Sequence, residues 1–133
     1  MKIIIVYGPP GAGKNDYVIK NCRYGDLVID QDMLYKCLTG LDLRDKPAHL
    51  HEIIEKIRFN IIEICYYSEI KYTAWVILTS KKLRDYFLMK YKKAKLIFFD
   101  VSRSECYRNI QKDKTRNFKN WQIIIDKWFN FND

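Results

Sequence analysis

Histidine occurs only twice in the 133 residues, at His49 and His51, and none of the four cysteines (Cys22, Cys37, Cys65, Cys106) stands in a C-x-x-C pair. That poverty of clustered ligands argues against a structural zinc site. Scattered, solitary cysteines suit a reducing compartment, so a cytoplasmic location is expected. No apolar run approaches the roughly 20 residues a bilayer span requires, and no membrane partner is expected. The opening MKIIIVY has one lysine and no small-residue cleavage site, too short for a secretory signal; it reads as a buried strand. No linker, internal repeat or low-complexity stretch divides the chain, so residues 1–133 are expected to form one domain.

What is present begins with charge. Lysine and arginine number 24 against 16 acidic residues, a net +8, and hydrophobic residues make up 48%, enough for a packed core. Residues 1–66 hold nine basic and nine acidic residues, whereas residues 67–133 hold fifteen and seven, so the whole excess lies in the second half. A one-sided positive field favours polyanions, whether nucleotide phosphates or nucleic acid; the blander alternative is a solvated lysine-rich surface.

The periodicity alternates between strand and helix. Residues 2–7 and 27–30 are short β-branched runs of the kind seen in buried parallel strands, and 72–79 and 95–101 are two more. Helices are predicted over 13–23, 31–39 (stopped by Gly40), from Pro47 through a stripe of Ile53, Ile54, Ile57, Ile61, Ile64 and Cys65, over 81–92 behind Ser80, from the capping box of Ser102 and Glu105, and around 118–130. LDLRDK reads as a loop. The order β-α-β-α-α-β-α-β-α-α implies an α/β domain with a parallel sheet and helices on both faces. In such sheets ligands bind beyond the C-terminal strand ends. Trp75, Trp121 and Trp128 follow the apolar spacing and read as core.

Residues 8–15, GPPGAGKN, follow the first strand and open the first helix, the context in which G-x-x-x-x-G-K-[ST] cradles phosphate. Gly8 turns the chain off the strand. Gly11 and Gly13 let backbone N–H groups approach phosphate oxygens, and the helix N-terminus adds unsatisfied donors. Lys14 brings an ammonium to the β- and γ-phosphates. Nucleotide contacts are thus expected from Gly8, Pro9, Pro10, Gly11, Ala12, Gly13, Lys14, Asn15 and Asp16. Asn15 stands where a hydroxyl normally holds magnesium. Its amide oxygen is a hard ligand that magnesium accepts, so metal contacts are expected from Asn15 and Asp30.

Asp30 and Asp32 end the second strand. Phosphoryl transfer to an alcohol needs a carboxylate to orient the hydroxyl and take its proton. Asp32 is the candidate base, with Asp30 orienting it or holding metal-bound water. Both also suit a helix cap and first turn. DVSRSECYRNIQKDKTR packs Arg103, Arg108, Lys112, Lys114 and Arg116 into fourteen residues. Arg44, Arg58, His49 and His51 lie between the second and third strands; a resemblance to small P-loop kinases, which put their acceptor pocket in this stretch, implies contacts with substrate phosphate, and plain exposure on a helix is the blander alternative.

GPPGAGKN, D-x-D after a second short strand, and a late basic helix together resemble the small P-loop kinases, in particular the zeta-toxin and polynucleotide-kinase-like group. GDLVIDQDML and the tryptophan-bearing last helix resemble short bacteriophage members. The resemblance implies a three-layer P-loop NTPase fold with about four parallel strands, ATP (or GTP) and Mg²⁺ as cofactors, and, for a phage chain, the host cytoplasm. It implies transfer of the γ-phosphate to a nucleotide, nucleoside or nucleic-acid 5′-hydroxyl. Lys14 takes the place of the family's loop lysine, Asp32, or alternatively Asp30, that of its base, and Asn15 departs from its hydroxyl. Arg108 and Arg116, with Arg103 in reserve, take the place of its lid arginines. TAWVILTS ends without an aspartate, which argues against a mechanical ATPase. Two other readings are a non-catalytic nucleotide-binding regulatory module and a basic nucleic-acid-binding protein. No protein partner is indicated, and no N-K-x-D sequence selects guanine.

Overall fold

The computed structural model describes residues 1–131. Its elements are β1 (Lys2–Tyr7), α1 (Lys14–Asn21), β2 (Leu27–Ile29), α2 (Gln31–Thr39), a 3₁₀ turn (Ala48–Leu50), α3 (His51–Tyr67), β3 (Thr73–Leu78), α4 (Lys81–Lys90), β4 (Lys95–Phe98), α5 (Arg103–Lys112) and α6 (Phe118–Phe131). The four strands form one all-parallel sheet in the order β2-β3-β1-β4. Parallel neighbours demand crossovers, and each crossover here carries at least one helix. β1 and β3 run in register from Lys2 opposite Thr73 to Tyr7 opposite Leu78. β3 is buried along its whole length, as a central parallel strand must be.

Side chains alternate between two apolar layers. Ile3, Ile5, Tyr7, Ala74, Val76 and Leu78 meet Ile62 and Cys65 of α3, Phe87 of α4 and Trp128 of α6. Val6, Trp75 and Ile77 meet Val18 of α1 on the opposite face. A third cluster joins Ala12, in the turn after β1, to Cys106 and Ile110 of α5 and Ile125 of α6.

Helix starts follow side-chain chemistry. Asp30, Ser80 and Ser102 each accept a hydrogen bond from a backbone N–H three residues on, at Met33, Leu83 and Glu105. The α3 stripe differs from its expected phase. Ile54, Arg58, Ile62 and Cys65 are buried, while Ile53 and Ile64 are 56% and 69% exposed. The shift is possible because the buried Arg58 is neutralised by Glu55, one turn earlier, at 2.7 Å. Apolar spacing alone cannot place a paired arginine inward. Among the described residues no helix is long and apolar enough to cross a membrane.

Candidate functional site

The strand order reverses at β1, whose connection leads away to β2 while β3 returns to its flank. The crevice above such a point is where α/β sheets bind ligands. Here it is a cleft of about 1030 Å³, bounded by the turn after β1, the starts of α2 and α4, the face of α3 and the α5–α6 junction.

The turn at 8–13 wraps back over its own lysine. The Lys14 ammonium is buried and donates to the carbonyls of Gly8 at 2.9 Å and Pro9 at 2.6 Å. Burial presses it from the usual lysine value of 10.5 down to about 7. Ala12 N–H closes the turn on Pro9 O. Gly11 and Gly13 lie in the left-handed backbone region, at φ of 77° and 92°. They differ in what surrounds them: a β-carbon on Gly11 would come within 3.0 Å of the Ile110 side chain, whereas one on Gly13 would project into open space. Gly13 therefore leaves a hollow at the head of α1, beside a desolvated cation. That is the shape and charge an oxyanion needs. Asn109 of α5 donates to Gly11 O at 2.7 Å, bracing the turn from behind. Pro10, Asn15 and the exposed Asp16 complete this end of the cleft.

Asp30 and Asp32 also face the cleft. Asp30 is buried and caps α2; burial, then the neighbouring Asp32 charge, raise its carboxyl above the usual range. Asp32 is more open and pairs with Lys46 at 2.9 Å, with the Arg44 Nε 4.0 Å away. Arg58, Glu55 and Gln31 form the wall beneath: Glu55 takes the Arg58 fork at 3.2 and 2.7 Å and a further bond from Gln31 Nε2. His51 lines the cleft near Gln31, and the exposed His49 does not.

The basic late segment divides. Lys112 and Arg116 line the cleft, while Arg108 is 61% exposed, pairs with Glu105 one turn back, and lies outside it. Cys106 and Ile110 anchor α5 to the core, which turns Asn109 and Lys112 toward the cleft and carries Arg108 off that stripe. Arg103 is drawn away to Asp126 and Asn130 on α6. Trp75 and Trp128 are buried, but Trp121 lines the cleft beneath Arg116. A cluster the sequence did not announce joins Arg44 to Asp113, Thr115 and Arg116 across the cleft mouth. Its partners lie some seventy residues apart, so no local spacing reveals it.

The hollow at Gly13 and the buried Lys14 fit a triphosphate tail. Among the described residues no three His, Cys, Asp or Glu side chains converge on a metal site. Asn15 and Asp30 offer two hard oxygen donors, which fits magnesium in the manner it usually adopts, with phosphates and waters supplying the remainder.

No protein-family model matches the chain, and no curated protein matches it in sequence. Solved structures do share its architecture. A chain in the structure of the Pnkp1/Rnl/Hen1 RNA repair complex superimposes with a TM-score of 0.66 at 16% identity, over 98% of this chain and 45% of that one. An uncharacterized protein from Eubacterium ventriosum gives 0.61 at 12%, over 98% and 72%. A gluconokinase from Sinorhizobium meliloti gives 0.54 at 16%, over 94% and 73%. The chain thus spans less than half the length of the RNA-repair chain. At these identities the likeness concerns the fold alone: a four-stranded, all-parallel sheet flanked by helices, shared with the gluconokinase and the RNA-repair chain.

Proposed function

We propose that this protein is a P-loop phosphotransferase that moves the γ-phosphate of ATP or GTP to a hydroxyl of a nucleotide, a nucleoside or a nucleic-acid 5′ end. One observation carries the reading. A desolvated lysine beside an open glycine hollow shares a single cleft with a pair of carboxylates. The first arrangement holds a triphosphate; the second orients an attacking hydroxyl. The fold likeness to a gluconokinase supports a kinase, and that to an RNA repair complex chain favours nucleic-acid ends among the acceptors.

In this reading the turn at 8–13 and the α1 N-terminus bind the phosphates, and Lys14 neutralises their charge. Asp32, held by Lys46, takes the proton from the acceptor hydroxyl at a carboxylate oxygen. Asp30 fixes the start of α2; with Asn15 it would hold a magnesium ion, which would supply charge neutralisation on the transferring group. Arg116 adds a guanidinium at the cleft mouth. The bound phosphates displace the Lys14 ammonium from the Gly8 and Pro9 carbonyls.

The test is transfer of labelled γ-phosphate to nucleosides, nucleotides and oligonucleotide 5′ ends. Lys14→Ala and Asp32→Asn are expected to reduce turnover at least 100-fold, and equal activity in wild type and Lys14→Ala would end the proposal. Asn15 supports a second reading, a nucleotide sensor without turnover. Asn15→Thr separates the two, raising turnover from zero only if the chain is a disabled kinase.

A further inference from the structure

We propose that the cleft contains a second oxyanion seat, formed by Arg44 and Arg116 over the ring of Trp121 from residues outside the glycine turn, and that it takes an anionic group carried by the acceptor. The word acceptor rests on the phosphotransferase reading; the seat itself does not.

Arg44 sits in the loop between α2 and the 3₁₀ turn, and Arg116 between α5 and α6. Their side chains are 11% and 13% exposed, and both line the cleft. The guanidinium carbons lie 5.9 and 4.3 Å from the centre of the Trp121 ring. A single carboxylate oxygen, Asp113 Oδ2, serves both, at 3.5 Å from Arg44 Nη2 and 3.1 Å from Arg116 Nε. Asp32 is 4.0 Å from Arg44 Nε, but Lys46 already holds it. Two like charges thus crowd one indole with too little negative charge between them, and burial followed by the nearby Arg44 charge lowers the Arg116 pKa.

The donors tell the same story. The Nε atoms of Arg44 and Arg116 are buried and make no well-aligned hydrogen bond, even though Asp113 Oδ2 is 3.1 Å from the Arg116 Nε. A buried, unsatisfied donor is costly, more so when charged. Arg44 also holds its backbone at φ 73°, in the left-handed region that residues with a β-carbon seldom enter; such positions cluster at ligand clamps. Thr115 Oγ fixes the rest of the fork, accepting from Arg44 Nη1 at 2.9 Å while donating to Asp113. Planar guanidinium forks match the oxygen spacing of phosphate and carboxylate. One incoming oxyanion supplies an aligned acceptor to each Nε and the missing charge.

The seat adjoins Asp32. A hydroxyl presented to that carboxylate then belongs to a molecule that also bears a phosphate ester or a carboxylate. Neutral nucleosides and sugars lack the group and are poor acceptors.

Calorimetry of the full chain with inorganic phosphate tests this, with the fold of each variant checked by circular dichroism. Wild type is expected to bind two equivalents and Lys14→Ala one. Arg44→Asn, which drops the charge yet tolerates the left-handed backbone, is expected to weaken that remaining site about 10- to 100-fold. Tryptophan emission in the wild type, which needs no altered glycine turn, changes over the same phosphate range, and Trp121→Phe removes the change. An acetate arm identifies the group: phosphate binding alone points to phosphate esters, and binding of both to carboxylates as well. The proposal is overturned if no phosphate binds to correctly folded Lys14→Ala, or if adding Arg44→Asn to that variant leaves its affinity unchanged. An intact seat in a protein without any phosphotransfer retires the enzyme reading and spares this one.

Discussion

Two glycines two residues apart have different duties, and substitution separates them. Gly13→Ala places a methyl in the hollow at the head of α1, where nothing resists it but the left-handed backbone. It is expected to cost about 1 kcal/mol of stability and to abolish triphosphate binding by calorimetry. Gly11→Ala meets Ile110 at 3.0 Å and the Cys106 carbonyl at 3.1 Å, so it is expected to cost about 3 kcal/mol in denaturant melts. Equal stability losses in the two variants would contradict this division. Lys14 gives a second expectation at the same scale. Its free-state value of about 7 means the amine is increasingly neutral above that pH, while a bound triphosphate favours the charged form. Binding therefore draws in a proton above pH 7, and affinity falls as pH rises, about tenfold per unit at the limit. Calorimetry at pH 8 in two buffers of different ionisation enthalpy reads the uptake directly; identical heats in both would refute it.

Among the elements, the short edge of the sheet depends on a single carboxylate. Asp26, just before β2, has a side chain 1% exposed. It accepts from Arg23 N–H at 2.8 Å, Thr73 N–H at 2.9 Å and the Trp75 indole at 3.2 Å. Burial alone raises its pKa, but these donors outweigh it and the net direction is down. A depressed carboxyl stabilises the fold above its unfolded value near 4, and that contribution is lost as pH falls through the lower folded value. Asp26→Ala orphans two buried N–H groups and is expected to cost about 3 kcal/mol at pH 7. The deficit should shrink in melts at pH 3 and below; a constant deficit would assign it to packing. Elements of this kind were largely legible in the sequence. The strands follow from short apolar runs, and the helices from the glycine turn, Pro47, apolar stripes, the caps at Asp30, Ser80 and Ser102 and the Gly40 stop, because these are local signals. The phase of α3 was not legible, because Arg58 faces inward only through its partner Glu55.

At the level of the whole molecule, what local pattern could not convey is convergence. GPPGAGKN and the D-x-D after β2 announced the two ends of the cleft. That Arg116 joins them while Arg108 turns away depends on how α5 settles against Ala12 and Ile125. The Arg44 cluster depends on a loop and a helix junction meeting across seventy residues. Ligand linkage tests the assembled cleft as a unit. ATP at 100 times its dissociation constant is expected to stabilise the fold by about 2.7 kcal/mol, a rise of roughly 10 °C in Tm for a domain of this size. Lys14→Ala should abolish the rise, and a full rise in that variant would mean nucleotide binds elsewhere.

The turn that follows β1 leans on Cys106, Ile110 and Ile125. During synthesis that turn leaves the ribosome about a hundred residues ahead of its backing. A nascent chain stalled before residue 125 emerges should therefore be retained poorly on immobilised ATP, and one stalled with residue 131 well clear of the exit tunnel should be held.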